Sequence, residues 1–211
     1  MEFESLGQNY AAAIRLIDEA HAADPRTVPG EDGTPVPYEL HYARKMTRWL
    51  ALREPAASPA LQLACRAQHF RRWELPRSSY PLTRAGYLTW RARQKAQAAA
   101  QVAELLSSSA AIQPPLAREE VARVAALVRK EGLGSDGEAQ ALEDVACLVF
   151  LDDRFDAFEE RSGMDEEKMA GILRKTWAKM SEKGRELAMA MELSDRAKAL
   201  IAKALQSEDR P

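Results

Sequence analysis

Leu142-Glu143-Asp144-Val145-Ala146-Cys147-Leu148-Val149-Phe150-Leu151 is the stretch that sets the fold class. Val145, Leu148, Val149 and Leu151 make it strongly apolar. Asp144, Cys147, Leu148 and Leu151 share one face at helical spacing, so the segment reads as a buried helix. Gly132, Gly134 and Gly137 supply a flexible turn ahead of it, and the helix is expected over about residues 138–160. One residue is out of place on that face: Asp144 puts a carboxylate among apolar neighbours, which is costly unless it is paired, hydrogen-bonded or bound to a metal.

The same periodicity recurs on both sides with no convincing strand. Residues 4–23 are Ala-rich with Tyr10, Ile14 and Ile17 at helical spacing, ending before Asp24-Pro25. Residues 25–37 hold four prolines and a Gly-Glu-Asp-Gly turn and read as a loop. Helices are expected over about 37–53 and 58–72, the second started by Ser58 as cap and Pro59 in its first turn. Pro76 and Pro81 make 73–82 irregular, and Thr83 can cap a long helix to about Ser107. Further helices are expected over about 116–130, 165–182 with Asp165 as cap, and 194–206 with Ser194 as cap. The expectation is an all-α fold, one compact multi-helix domain over residues 1–211.

Composition narrows the class. The chain has 211 residues, 46% hydrophobic and 29% charged, ordinary for a globular protein with a real core. No apolar run approaches the length of a membrane span, and the first twenty residues lack a signal-peptide pattern, so a cytoplasmic protein that does not enter membranes is expected. Cys65 and Cys147 lie in apolar helical runs and read as reduced core residues. The net charge of −2 hides an asymmetry: residues 41–95 hold twelve Lys or Arg against Glu54 and Glu74. That block carries +10 and the remainder −12, so it either attracts anions or pairs with the acidic rest of the chain.

Three residues form the one constellation that suggests a chemistry. His41 sits at the border of an apolar stripe on its helix, and His69 lies near the end of the next one. With Asp144 they would supply two imidazoles and a carboxylate from three helices, a donor set for a divalent metal such as Mn, Ni, Zn, Fe or Mg. Each has a plainer role open to it: a His near a helix C-terminus favours the helix dipole, and Asp144 can pair with an Arg. His21 has no partner pattern and reads as a surface residue.

These motifs resemble the HD-domain metal-dependent phosphohydrolases, over roughly residues 37–155. The resemblance rests on a helix beginning with His41, a second ending Ala64-Cys65-Arg66-Ala67-Gln68-His69, and the later Leu142-Glu143-Asp144-Val145-Ala146. It implies a helical bundle with His41, His69 and Asp144 on a metal, Glu143 being the alternative to Asp144. Where that family has the Asp of a His-Asp doublet this chain has Phe70, so the resemblance leaves three outcomes open: weak metal binding, Glu74 or Glu39 in its place, or loss of hydrolysis. Over nearly its full length the chain also resembles an uncharacterised domain family whose members are sometimes labelled glutamyl-tRNA synthetase. Gln68-His69-Phe70-Arg71-Arg72-Trp73-Glu74-Leu75-Pro76-Arg77-Ser78-Ser79-Tyr80-Pro81 and Leu173-Arg174-Lys175-Thr176-Trp177 carry that likeness. Lys179-Met180-Ser181-Glu182-Lys183-Gly184-Arg185 looks like a class I synthetase KMSKS loop, but no HIGH-type motif and no alternating strand–helix pattern accompanies it.

The basic, aromatic loop after His69 is the second candidate feature. Arg71, Arg72, Arg77 and Arg84 offer planar forks for phosphate oxygens, and Trp73 and Tyr80 offer faces for a base. Tyr87, Trp90, Arg91 and Arg93 continue this chemistry onto the next helix as a wall beside His69. The expected function is metal-dependent phosphohydrolysis or phosphodiester cleavage of a nucleotide-like phosphate, with Glu74 or Glu143 as general base. The alternative is a non-catalytic helical protein that binds an anionic small molecule such as a nucleotide, or RNA, beside a degenerate metal site.

Overall fold

The computed structural model describes residues 7–30, 32–154, 166–192 and 198–202, the side chains of 153 and 154 excepted. Helix α1 runs Gln8–His21, α2 Tyr38–Arg53 and α3 Pro59–Arg66. They are followed by α4 Arg84–Ser108, α5 Arg118–Arg129, α6 Gly137–Val149, α7 Glu166–Trp177 and α8 Glu182–Met189. The caps expected at Ser58 and Thr83 are made: each hydroxyl accepts a backbone N–H, from Leu61 and Gly86, at 3.1 Å. The all-α expectation holds, with one small exception.

That exception is a short antiparallel hairpin, Thr27–Pro29 (β1) with Pro35–Pro37 (β2), in which Val28 faces Val36. Prolines are tolerated because a two-stranded ribbon has only edges. Gly33 turns it with φ of +80°, a conformation costly for other residues.

Helix α6 is the centre. Nine of its residues, from Ala139 to Val149, are buried, so the helix is covered on nearly every side. One side joins a core built from α1 through α6, including Ile17, Met46, Leu61, Val102, Leu127 and Leu142. The other presents Cys147, Leu148 and Leu151 to a smaller core with Met169, Leu173, Met180, Ala188 and Leu200. Both cysteines are buried thiols, as their apolar runs suggested. Past Val149 the helix widens into a π-turn over Phe150–Arg154.

Several boundaries differ from expectation. Helix α3 stops at Arg66, because His69 and Arg71 take left-handed backbone with φ of 62° and 47°. Helix α7 stops at Trp177, and Ser181 starts a helix that was not anticipated, accepting the N–H of Gly184 at 3.2 Å. The expected caps Asp165 and Ser194, and residues 155–160, lie outside the described residues. His21 is a correction: it is fully buried, not on the surface. Its Nε2 lies 3.0 Å from the Arg66 carbonyl and its ring meets Phe70 edge-on at 5.6 Å. Among the described residues no helix is long and apolar enough to cross a membrane.

Asp144 resolves as the plainer of its two expected roles. Its carboxylate is wholly buried and accepts from Arg53 Nε at 2.7 Å and Gln140 Nε2 at 3.0 Å. It also takes the Ser181 N–H at 2.8 Å and the Ser181 hydroxyl at 2.5 Å. This is a paired and fully hydrogen-bonded charge, and it ties α2 and the start of α8 to α6. Gly184 packs so closely that an added Cβ would stand 2.7 Å from the Asp144 carboxyl carbon. Asp144→Ala should therefore lose about 3–5 kcal/mol in urea unfolding, since it strips the buried Arg53 of its close partner and leaves it only the part-exposed Glu54 at 3.3 Å. Gly184→Ala should lose about 1–3 kcal/mol through overpacking.

Candidate anion-binding site

The chain leaving α3 is bent by the two left-handed residues His69 and Arg71, conformations that cost non-glycine residues roughly 1–2 kcal/mol each. The contacts around them offset that cost. The His69 ring stacks on Tyr42 of α2 with centroids 4.3 Å apart. Its Nε2 lies 2.8 Å from Arg72 Nη1. Guanidinium nitrogens only donate, so Nε2 accepts, the imidazole is neutral and its proton sits on Nδ1. That Nδ1 faces Glu39 Oε2 at 3.6 Å.

Glu39 is buried behind this ring. Arg26 Nη2 donates to its Oε1 at 2.8 Å, and its own backbone N–H donates to Asp24 Oδ2 at 3.1 Å. Burial raises the carboxyl to about 7, against the pull of Arg26 and Arg72. The loop is pinned from the other side by α4. Gln94 Nε2 donates to the carbonyls of Arg72 (3.0 Å) and Leu75 (2.5 Å), and Trp90 Nε1 to that of Leu75 at 2.9 Å. The Arg72 guanidinium lies 5.2 Å from the Trp90 ring centroid.

A cleft opens between these elements, lined by Gln68, His69, Arg72, Arg91, Gln94, Lys95 and Lys130, with Ala98, Val128 and Ala146 as its apolar wall. None of the described residues lining it is acidic. Arg91 and Lys95 stand one turn apart on α4 and make no ion pair among the described residues. Lys130 ends α5 in left-handed backbone and pairs with Glu143, which also has Lys179 at 3.8 Å. Burial pushes the Glu143 carboxyl up, but Lys130, Lys179 and Arg91 outweigh it and hold it below the usual range. Burial, reinforced by Lys130 and Arg91, lowers the Lys95 ammonium. Several cations share a partly enclosed space with Glu143 as the near carboxylate, a setting of net positive charge that favours an anion.

The residues expected from the sequence are scattered. His69 and Arg72 line the cleft, and Glu143 stands behind Lys130. His41 lies elsewhere, in an open groove between the hairpin and α2 with Arg44, Arg48 and Asp152. Asp144 is committed to Arg53 and Ser181. The structure thus does not bring His41, His69 and Asp144 together, and among the described residues no three His, Cys, Asp or Glu side chains are placed to hold a metal. The residues present do not fit the expected divalent ion. Phe70, at the doublet position, is a core residue.

The loop arginines divide. Arg77 spends its fork on the carbonyls of Tyr80 (2.8 Å) and Pro81 (2.7 Å). Arg71 lies over Phe70 and 3.9 Å from Glu74, whose carboxylate accepts from Gln101 at 2.7 Å. Trp73 and Tyr80 are half-buried, and Arg84 is exposed at the start of α4. Lys95 and Lys130 had not been singled out. Lys95 was legible as one turn beyond Arg91, whereas nothing local marks Lys130.

The chain belongs to the family described as Domain of unknown function (DUF4202), which matches residues 11–201. No curated protein and no solved structure matches it.

Two buried groups near this site pull stability in opposite directions. Burial lowers His21 to about 4 from its ordinary 6.5, so between those values the unfolded chain binds more protons and stability falls as pH falls. Glu39 is raised to about 7 from 4.5, so the folded chain binds more protons in that window and stability rises as pH falls. Glu39→Gln removes the second effect. Its urea midpoint should fall more steeply than that of the unsubstituted protein between pH 6.5 and 4.5, by up to about 1.4 kcal/mol per pH unit.

Proposed function

We propose that this protein is a helical binding module that takes a phosphate-bearing anion in the cleft between the His69–Leu75 loop, α4 and the end of α5. The observation that carries this reading is the convergence of Arg72, Arg91, Lys95 and Lys130 on a space with no acidic lining among the described residues. Like charges brought this close repel each other, and a bound anion relieves that repulsion. The loop's internal hydrogen bonds and the clamp from Gln94 support the same reading, since they hold Arg72 in place before any ligand arrives.

Metal-dependent phosphohydrolysis of the HD type is not carried into this reading, because the donors it needs are held apart. The synthetase label finds no support either: Ser181, within the KMSKS-like stretch, caps α8 and binds Asp144. The test is calorimetric titration with inorganic phosphate at low salt. Lys95→Glu should weaken binding at least about tenfold, Lys95→Arg should retain most of it, and His41→Ala should leave it unchanged. Rising salt should weaken it steadily through screening. A Lys95→Glu protein that binds phosphate as well as the unsubstituted one would sink the reading.

A further inference from the structure

The cleft is specific about the kind of phosphate it can surround. Resting on the reading above, we infer that its ligand is a small phosphomonoester, held by its terminal dianionic phosphate, and not the diester backbone of RNA.

Size is the first argument. The cleft is narrow and only partly enclosed, leaving about 60 Å³ for the centres of water-sized groups. A recess must offer roughly 10–15 Å³ to take even one water, so this one admits a compact polar group of a few heavy atoms. A single phosphate group, one phosphorus with four oxygens, is of that size. A diester would need two ester arms to leave the same recess, yet the cations approach from three separate elements: Arg72 from the loop, Arg91 and Lys95 from α4, Lys130 from α5. A monoester needs one exit only.

Charge is the second. A monoester near neutral pH carries about −1.5 to −2 and three acceptor oxygens. A diester carries a single charge and two free oxygens. Four cations, one of them already sharing Glu143, match the former. Aromatic faces give the third argument, because binding of single-stranded RNA depends on bases stacking on such faces. Here no Phe, Tyr or Trp is among the described residues lining the cleft, and the rings that pack on His69 and Arg72 are Tyr42 and Trp90, each covered by that contact. The Trp90 N–H is also committed to Leu75.

The experiment compares methyl phosphate, dimethyl phosphate and a 5′-hydroxyl oligouridylate by calorimetry on the full chain. It is run at pH 8, where the second ionisation of a monoester, near pH 6, is complete. Methyl phosphate should bind at least about tenfold more tightly than dimethyl phosphate, and the oligouridylate should not displace it. Lys95→Gln and, as an independent variant, Arg91→Gln should each reduce methyl phosphate binding by about tenfold, with circular dichroism confirming the fold. Equal binding of dimethyl phosphate, or displacement by the oligouridylate, would overturn the monoester assignment while leaving an anion cleft standing. Failure of the folded protein to bind methyl phosphate or inorganic phosphate at all would overturn both.

Discussion

A carboxylate sealed from water must find its hydrogen bonds inside the protein, and at Asp144 that requirement organises a large part of the fold. Arg53 arrives from the end of α2, Gln140 from the preceding turn of α6, and Ser181 from the start of α8. Each partner comes with its own demand. Arg53 must be held almost without solvent, Ser181 must begin a helix, and Gly184 must lack a side chain to let that helix approach. A buried charge of this kind adds little to stability in itself compared with well-packed apolar residues. Its effect is to join three elements in one register. The smaller core beyond α6 is attached largely through this point and the apolar face of Cys147, Leu148 and Leu151.

Helix α2 connects that buried charge to the cleft. It carries Arg53 in its last turn and Glu39 in its first, some 14 residues or about 21 Å apart along the axis. At its N-terminal end the problem is the inverse one. Glu39 is buried with only one oxygen fully partnered, and the imidazole of His69 completes its surroundings at 3.6 Å. The left-handed bends at His69 and Arg71 allow both contacts of the ring to be made at once. They turn the chain sharply enough to set Arg72 against His69 while Phe70 goes into the core.

The fold was legible because apolar periodicity reports burial directly. The helix around residues 142–151, the caps at Ser58 and Thr83 and the breaks at the prolines could all be read from local pattern. The hairpin at 27–37 was hidden because its strands are three residues each and half proline, which suppresses a strand signal. The site was only half legible. Basic residues near His69 suggested an anion, and Arg72 and Arg91 do line the cleft. Which of the arginines would be spent on backbone carbonyls, as Arg77 is, depends on a turn geometry that spacing does not encode. Lys130 enters from a different helix, and only packing of α5 against α4 brings it there. His41 and Asp144 looked like metal donors by order and residue type. Order says nothing of which side of α2 or α6 faces which neighbour, and Arg53 reaches Asp144 first.

Lys95 ties the cleft's occupancy to a proton. Burial, Lys130 and Arg91 disfavour its ammonium, against the pull of Glu143. An anion seated beside it would act in the same sense as Glu143 and favour the charged form. Binding in this cleft is therefore coupled to proton uptake, and the ligand brings with it part of the charge balance that the walls themselves lack.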